Sequence, residues 1–312
     1  MKKFIGAVVL AVIACVFGWV AVSGAEEVLL KKADYISVII DQSGSMYMKD
    51  DCHKETKISI AKKAVSNIVK NVPALEYDTH VSLASKDVML FDEVFSKEKI
   101  LSTVSMVKEE GTIFGNFTNL YTSLYKEQES HIDARKSVVL LVTDGEWNRG
   151  ENPVDAVKEL YQKKNCVVHV LSLADTLEGE KTISEIVALN EHSFVVDACA
   201  MLDDVTAKEF AECVFYGKYT PVEVQFGFDS AILAPSELMK IAKFKEIDLL
   251  YDKVIVEGCA CVTGDETYNK VLSTKRASTV AKAIDTEEFY GAGECSEYPE
   301  KYKNRHAKII LK

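Results

Sequence analysis

The residues with the clearest chemical potential are Asp41, Ser43 and Ser45, three oxygen-bearing side chains at alternate positions in Asp41-Gln42-Ser43-Gly44-Ser45. Gly44 lets the backbone turn sharply among them. Hard oxygens gathered in one loop suit a small divalent cation such as Mg²⁺. An isolated D-x-S-x-S pattern reads equally well as a turn and a helix cap. Two later segments add matching chemistry: Thr143-Asp144-Gly145, and Gly115-Asn116-Phe117-Thr118-Asn119-Leu120.

These groups need elements that bring them together. Residues 36–40 and 138–142 are apolar, β-branched runs without alternation, as in strands buried on both faces. Asp41 and Asp144 each follow such a run. Residues 57–69 carry apolar side chains at helical spacing, and Pro73 stops that helix. Residues 80–85 and 88–95 read as paired strands, and Ser96 caps a helix. Further strands at 166–173 and 193–196 alternate with helices at 154–162, 183–189 and 207–215. The pattern predicts an α/β, doubly wound, mostly parallel sheet. Ligands of such sheets bind outside the carboxyl ends of the strands, where Asp41 and Asp144 fall.

D-x-S-x-S, then T-N-L, then T-D-G resembles the metal-ion-dependent adhesion site of von Willebrand factor A domains, over residues 33–216. The resemblance implies that the hydroxyls of Ser43, Ser45 and Thr118 touch Mg²⁺ or Mn²⁺, with Thr112 a weaker candidate for the threonine. Asp41 and Asp144 would act mainly through bound water. The open position on the metal would take an acidic side chain of a partner protein. The residues themselves argue for binding over catalysis, because no nucleophile or base stands beside the loop apart from His53, which reads as solvated. No G-x-S-x-G, H-E-x-x-H or P-loop pattern occurs.

A chain of 312 residues leaves room for two domains. Residues 222–226, 253–257 and 307–311 read as strands, with helices at 235–244 and 267–284 between them. Val271, Leu272, Ala277, Val280 and Ile284 are expected on the inner face of the second helix. This smaller α+β unit, over residues 222–312, resembles the OmpA-like peptidoglycan-binding domain. The matching residues are Phe228-Asp229-Ser230-Ala231, Gly258, Asn269, Leu272, Ser273, Arg276, Ala277 and Asn304-Arg305. The resemblance implies that Arg276 holds the carboxylate of diaminopimelate in cell-wall peptide, and that Asn269 belongs to the same peptidoglycan-binding site. The family's His-x-Asp, whose aspartate grips the amino group, is replaced here by Cys259 and Cys261. A disulfide that rigidifies a degenerate pocket is the alternative reading.

Residues 1–25 carry two lysines, an apolar stretch and Ser23-Gly24-Ala25, which fits a secretory signal. A retained membrane anchor and a lipoprotein signal around Cys15 are the alternatives. Each places the body in the bacterial envelope, in the periplasm or at the outer membrane. Seven cysteines follow this segment, and an oxidising compartment favours their pairing. Cys199 and Cys213 could close a loop, and either Cys259 or Cys261 could meet Cys295. The net charge of −11 and the lack of a basic stripe argue against nucleic acid. The expected function is an envelope adaptor that binds a protein through a metal and docks to peptidoglycan or the outer membrane. The alternatives are a disulfide-stabilised structural protein with no working metal site, and a thiol-dependent enzyme using Cys259 or Cys261.

Overall fold

The computed structural model describes residues 27–50, 54–84, 88–111, 119–130 and 134–312. The signal segment, Cys52, His53, Thr112 and Thr118 lie outside these residues. The described chain divides into two compact units, Lys31–Gly217 and Lys218–Lys312, the second also including residues 27–30.

In the first unit the elements run β2 Tyr35–Ile40, α1 Lys57–Asn71, β3 Asp78–Leu83, β4 Val88–Val94, α2 Lys97–Ser105, α3 Leu120–Ser130, β5 Ser137–Thr143, α4 Pro153–Lys163, β6 Cys166–Ser172, α5 Leu177–Val187, β7 Val195–Asp197 and α6 Asp204–Val214. Six strands form one sheet in the order β4-β3-β2-β5-β6-β7. Only β4 runs antiparallel. All six residues of β2 and all seven of β5 are buried, which is why neither strand alternates in sequence. Ile36, Val38 and Ile40 face a core shared with Ile58, Ala61, Val65 and Phe210. Ile39 faces the opposite core, with Val139, Leu141, Val168, Leu124 and Leu160. Thr56 caps α1 by accepting from the Ser59 amide, and Asn152 caps α4 ahead of Pro153.

Connections leave β2 toward β3 on one side and reach β5 on the other, so the β2–β5 boundary is the topological switch point. The register fixes what meets there. Ile40 lies opposite Val142, and the Asp41 amide donates to the Val142 carbonyl at 2.9 Å. Asp41 and Asp144 therefore leave adjacent strands at the same edge.

The second unit contains β9 Val222–Gln225, α7 Pro235–Lys245, β10 Val254–Cys261, α8 Glu266–Ala283, β11 Phe289–Cys295 and β12 His306–Leu311. Its sheet has the order β11-β10-β12-β9, with β10 and β11 parallel. A two-stranded ladder pairs β1 Val28–Lys31 with β8 Tyr216–Tyr219. Leu30 and Tyr219 are buried in the second unit's core.

β11 was not anticipated, because its inward positions include Gly291 and Gly293 rather than apolar side chains. Helix α8 explains the glycine at 291. A Cβ there would come within 2.4 Å of the Thr274 amide nitrogen, and one on Gly258 within 2.0 Å of the Ser273 carbonyl oxygen. The helix lies so close to the sheet that both positions must lack a side chain. Val271 is also displaced from its expected face: it is exposed, while Leu272, Ala277 and Val280 are buried and Ile284 is partly so.

Candidate metal centre

Asp41 and Asp144 are both wholly buried at the strand ends. Each Asp41 oxygen has a fixed donor: the Ser43 amide reaches Oδ1 at 2.8 Å, and the Thr143 hydroxyl reaches Oδ2 at 2.7 Å. Thr143 Oγ1 also accepts from the Gly145 amide at 3.0 Å, so one side chain shapes both loops. Ser43 is buried and Ser45 half-buried, with their hydroxyls 3.1 Å apart. The loop turns through a short 3₁₀ segment, Ser45–Tyr47. Thus Asp41, Ser43, Ser45 and Asp144 belong to one edge. Thr118 and Thr112, assigned by sequence to the same cluster, fall outside the described residues.

The β5 loop is held by close backbone packing. Gly145 has φ +77°, and a Cβ there would lie 2.4 Å from the Gly179 carbonyl oxygen. Gly179, in turn, admits no Cβ because the Asp144 carbonyl would be 2.1 Å away. The start of α5 is pressed against Asp144, and glycine at both positions makes this possible.

The electrostatics are those of crowded carboxylates. Burial, then the charge of Asp144, push the Asp41 carboxyl up to about 7, against the pull of the Thr143 and Ser43 hydrogen bonds. Asp144 has a cationic neighbour that sequence reading did not single out. Lys57, at the first turn of α1 and 1 % exposed, places Nζ 3.0 Å from Asp144 Oδ2 and 2.6 Å from Asp175 Oδ1. Burial works against the Lys57 ammonium, and the Asp144 and Asp175 carboxylates outweigh it, holding it above its ordinary range. A lone lysine opening a helix looks like a surface residue, so the sequence carried no signal for this role.

The donor set suits a hard divalent cation: two buried carboxylates and two neighbouring hydroxyls, all oxygen, with one of three acidic charges matched by Lys57. Asp41 has no cationic partner of its own among the described residues.

The residues assigned to peptidoglycan binding are turned inward. Arg276 is 1 % exposed and donates to the carbonyls of Ser230 at 2.9 Å, Cys259 at 2.8 Å and Gly227 at 3.2 Å. Asn269 donates to the Thr263 carbonyl and to Glu294 Oε1. Cys295 pairs with Cys259, and Cys261 keeps its thiol, which accepts from Arg305 Nε at 3.4 Å. Cys199 is disulfide-bonded, and Cys213 is not its partner, so the loop closure between them does not occur. Among the described residues no helix is long and apolar enough to cross a membrane.

Comparison with known families matches residues 36–208 to the von Willebrand factor type A domain. Among curated proteins, the chain is similar to an uncharacterized protein, YwmC, of Bacillus subtilis (strain 168). The two are 29 % identical over 168 residues, covering 47 % of this chain and 68 % of YwmC. Among solved structures, an aerotolerance-related membrane protein from Bacteroides fragilis NCTC 9343 aligns over 58 % of this chain and 96 % of its own, at 15 % identity and a TM-score of 0.44. The peptidoglycan-associated lipoprotein from Burkholderia pseudomallei aligns over 29 % of this chain and 89 % of its own, at 17 % identity and a TM-score of 0.25.

Proposed function

The chain belongs to the von Willebrand factor type A domain family, and from that premise we propose that its first unit captures a protein partner through a bound Mg²⁺ or Mn²⁺. The observation that carries this reading is the pair of buried carboxylates, Asp41 and Asp144, sharing the switch point with the Ser43 and Ser45 hydroxyls. In this reading Ser43, Ser45 and Thr118 hold the cation, and Asp41 and Asp144 supply the balancing charge. The metal, when bound, offers a Lewis-acidic position that an acidic side chain of the partner fills. The chain's own residues do the rest. Thr143 and the Ser43 amide orient Asp41, and Lys57 orients Asp144. The role is binding, not catalysis.

The second unit, in the same reading, is an OmpA-like module that docks the protein in the bacterial envelope, on peptidoglycan or at the outer membrane. The buried placement of Arg276 and the Cys259–Cys295 bond favour a second reading for this unit, a rigid spacer whose pocket no longer takes cell-wall peptide.

Calorimetry of the full chain with Mn²⁺ tests the first unit. Binding heat is expected for the wild type and none for Ser43→Ala. Capture of partners from envelope fractions should stop when a chelator is added. Capture that persists undiminished with chelator rejects the metal-dependent reading.

A further inference from the structure

One edge of the second unit's sheet gathers three ligand-type side chains that have no part in the function proposed above. Glu223 is on β9, His306 opens β12, and Glu297 lies two residues past β11. A ring nitrogen of His306 and one carboxylate oxygen from each glutamate lie within 4.8 Å of one another.

The state of His306 is the unusual observation. The residue is 0 % exposed, and its Nδ1 lies 2.9 Å from the Lys303 carbonyl oxygen. A carbonyl can only accept, so Nδ1 is the donor in this contact, and the neutral ring then offers its lone pair at Nε2. Nε2 is buried and has no hydrogen-bond partner among the described residues. An imidazole whose N–H is tied to a backbone carbonyl and whose other nitrogen is open has the arrangement of a metal ligand. Glu223 is oriented too: the Tyr298 hydroxyl donates to its Oε1 at 2.6 Å.

We propose that Glu223, Glu297 and His306 form a second divalent-cation site, selective for Zn²⁺ over the hard cations. One imidazole and two carboxylates supply three ligands, and water completes the tetrahedron that Zn²⁺ prefers. The nitrogen donor separates this site from the all-oxygen set of the first unit. Lys308 is the competitor. Its ammonium bonds to Glu297 Oε2 and lies 3.6 Å from Glu223 Oε1, balancing the carboxylates when no metal is bound. Its side chain is 16 % exposed, and its long stem lets the ammonium swing to water as the cation enters. Zinc uptake therefore works against a tethered positive charge.

The test is a Zn²⁺ titration of the full chain with the Cys259–Cys295 bond intact and excess Mg²⁺ present to occupy the first unit. One Zn²⁺ per chain is expected, with an absorption spectrum showing nitrogen and oxygen neighbours and no sulfur. Glu297→Gln keeps the size of a 40 % exposed side chain and removes its charge, and it should weaken binding by roughly tenfold to a hundredfold. Lys308→Met should strengthen it. Absence of zinc uptake overturns the site, as do a sulfur-containing shell and an affinity that Glu297→Gln leaves unchanged.

Discussion

Lys57 Nζ lies 3.0 Å from Asp144 Oδ2, with both side chains sealed from solvent. Asp175 holds the same ammonium from the other side at 2.6 Å. The lysine is thus a built-in countercharge at the edge where a divalent cation is proposed to sit. Removing one partner of a buried ion pair leaves an uncompensated charge, which costs about 3–5 kcal/mol. Lys57→Met should lose stability of that order in chelator, as read from guanidinium chloride unfolding. Mg²⁺ should restore more stability to this variant than it adds to the wild type.

Thr143 makes a more local prediction. Its hydroxyl donates to Asp41 Oδ2 and accepts from the Gly145 amide. Thr143→Val keeps the shape and removes both bonds, at a cost of about 1–3 kcal/mol for each buried group left unpaired. Chemical unfolding should report the loss. Calorimetry with Mn²⁺ should show weaker binding, because Asp41 is no longer held in place.

His169 makes stability depend on pH. It is 5 % exposed, its Nδ1 has no hydrogen-bond partner among the described residues, and its ring lies 4.2 Å from that of Phe194. Burial first, then the charges of Lys136 and Lys32, lower its pKa from 6.5 to about 3. The unfolded chain therefore binds a proton that the folded chain refuses. This contribution is complete above pH 6.5 and shrinks as pH falls toward the folded value. Between about pH 6.5 and pH 4.5 it amounts to about 2 kcal/mol. Unfolding curves across that range should be flatter for His169→Phe than for the wild type, and equal slopes would contradict the assignment.

The Cys259–Cys295 bond closes a loop spanning 36 residues. On the chain-entropy account, a loop of that length stabilises by about 4 kcal/mol. Cys295→Ser should lower the calorimetric transition of the second unit by a corresponding amount, and reducing agent should do the same to the wild type. Cys261→Ser should cost about 1 kcal/mol, since it disturbs only the thiol's contacts with Arg305 and Thr263 and breaks no covalent link.

The sequence disclosed most where chemistry and periodicity coincided. Asp41, Ser43, Ser45 and Asp144 were legible because each follows an apolar run that could only be a buried strand, and the sheet order then brings them to one edge. Lys57 was not legible, because its partners Asp144 and Asp175 are 87 and 118 residues away. β11 was missed for a different reason. Its core-facing Gly291 is imposed by the closeness of α8, and strand patterns are recognised by side chains that a glycine lacks. Choosing between Cys259 and Cys261 as the partner of Cys295 needed more than the register. Cys261 is directly opposite Cys295, yet it is Cys259, beside the irregularity at Gly258, that forms the bond.

The placement of Arg276 governs how any wall-binding assay must be read. Its guanidinium fastens three stretches of main chain, at Gly227, Ser230 and Cys259, into one body. Such a side chain acts as a rivet. Cutting it out would loosen the whole module before any ligand was offered, so failure of an Arg276→Ala protein to sediment with cell walls would report unfolding as readily as lost recognition. Only a variant with unaltered amide-exchange protection could speak to affinity.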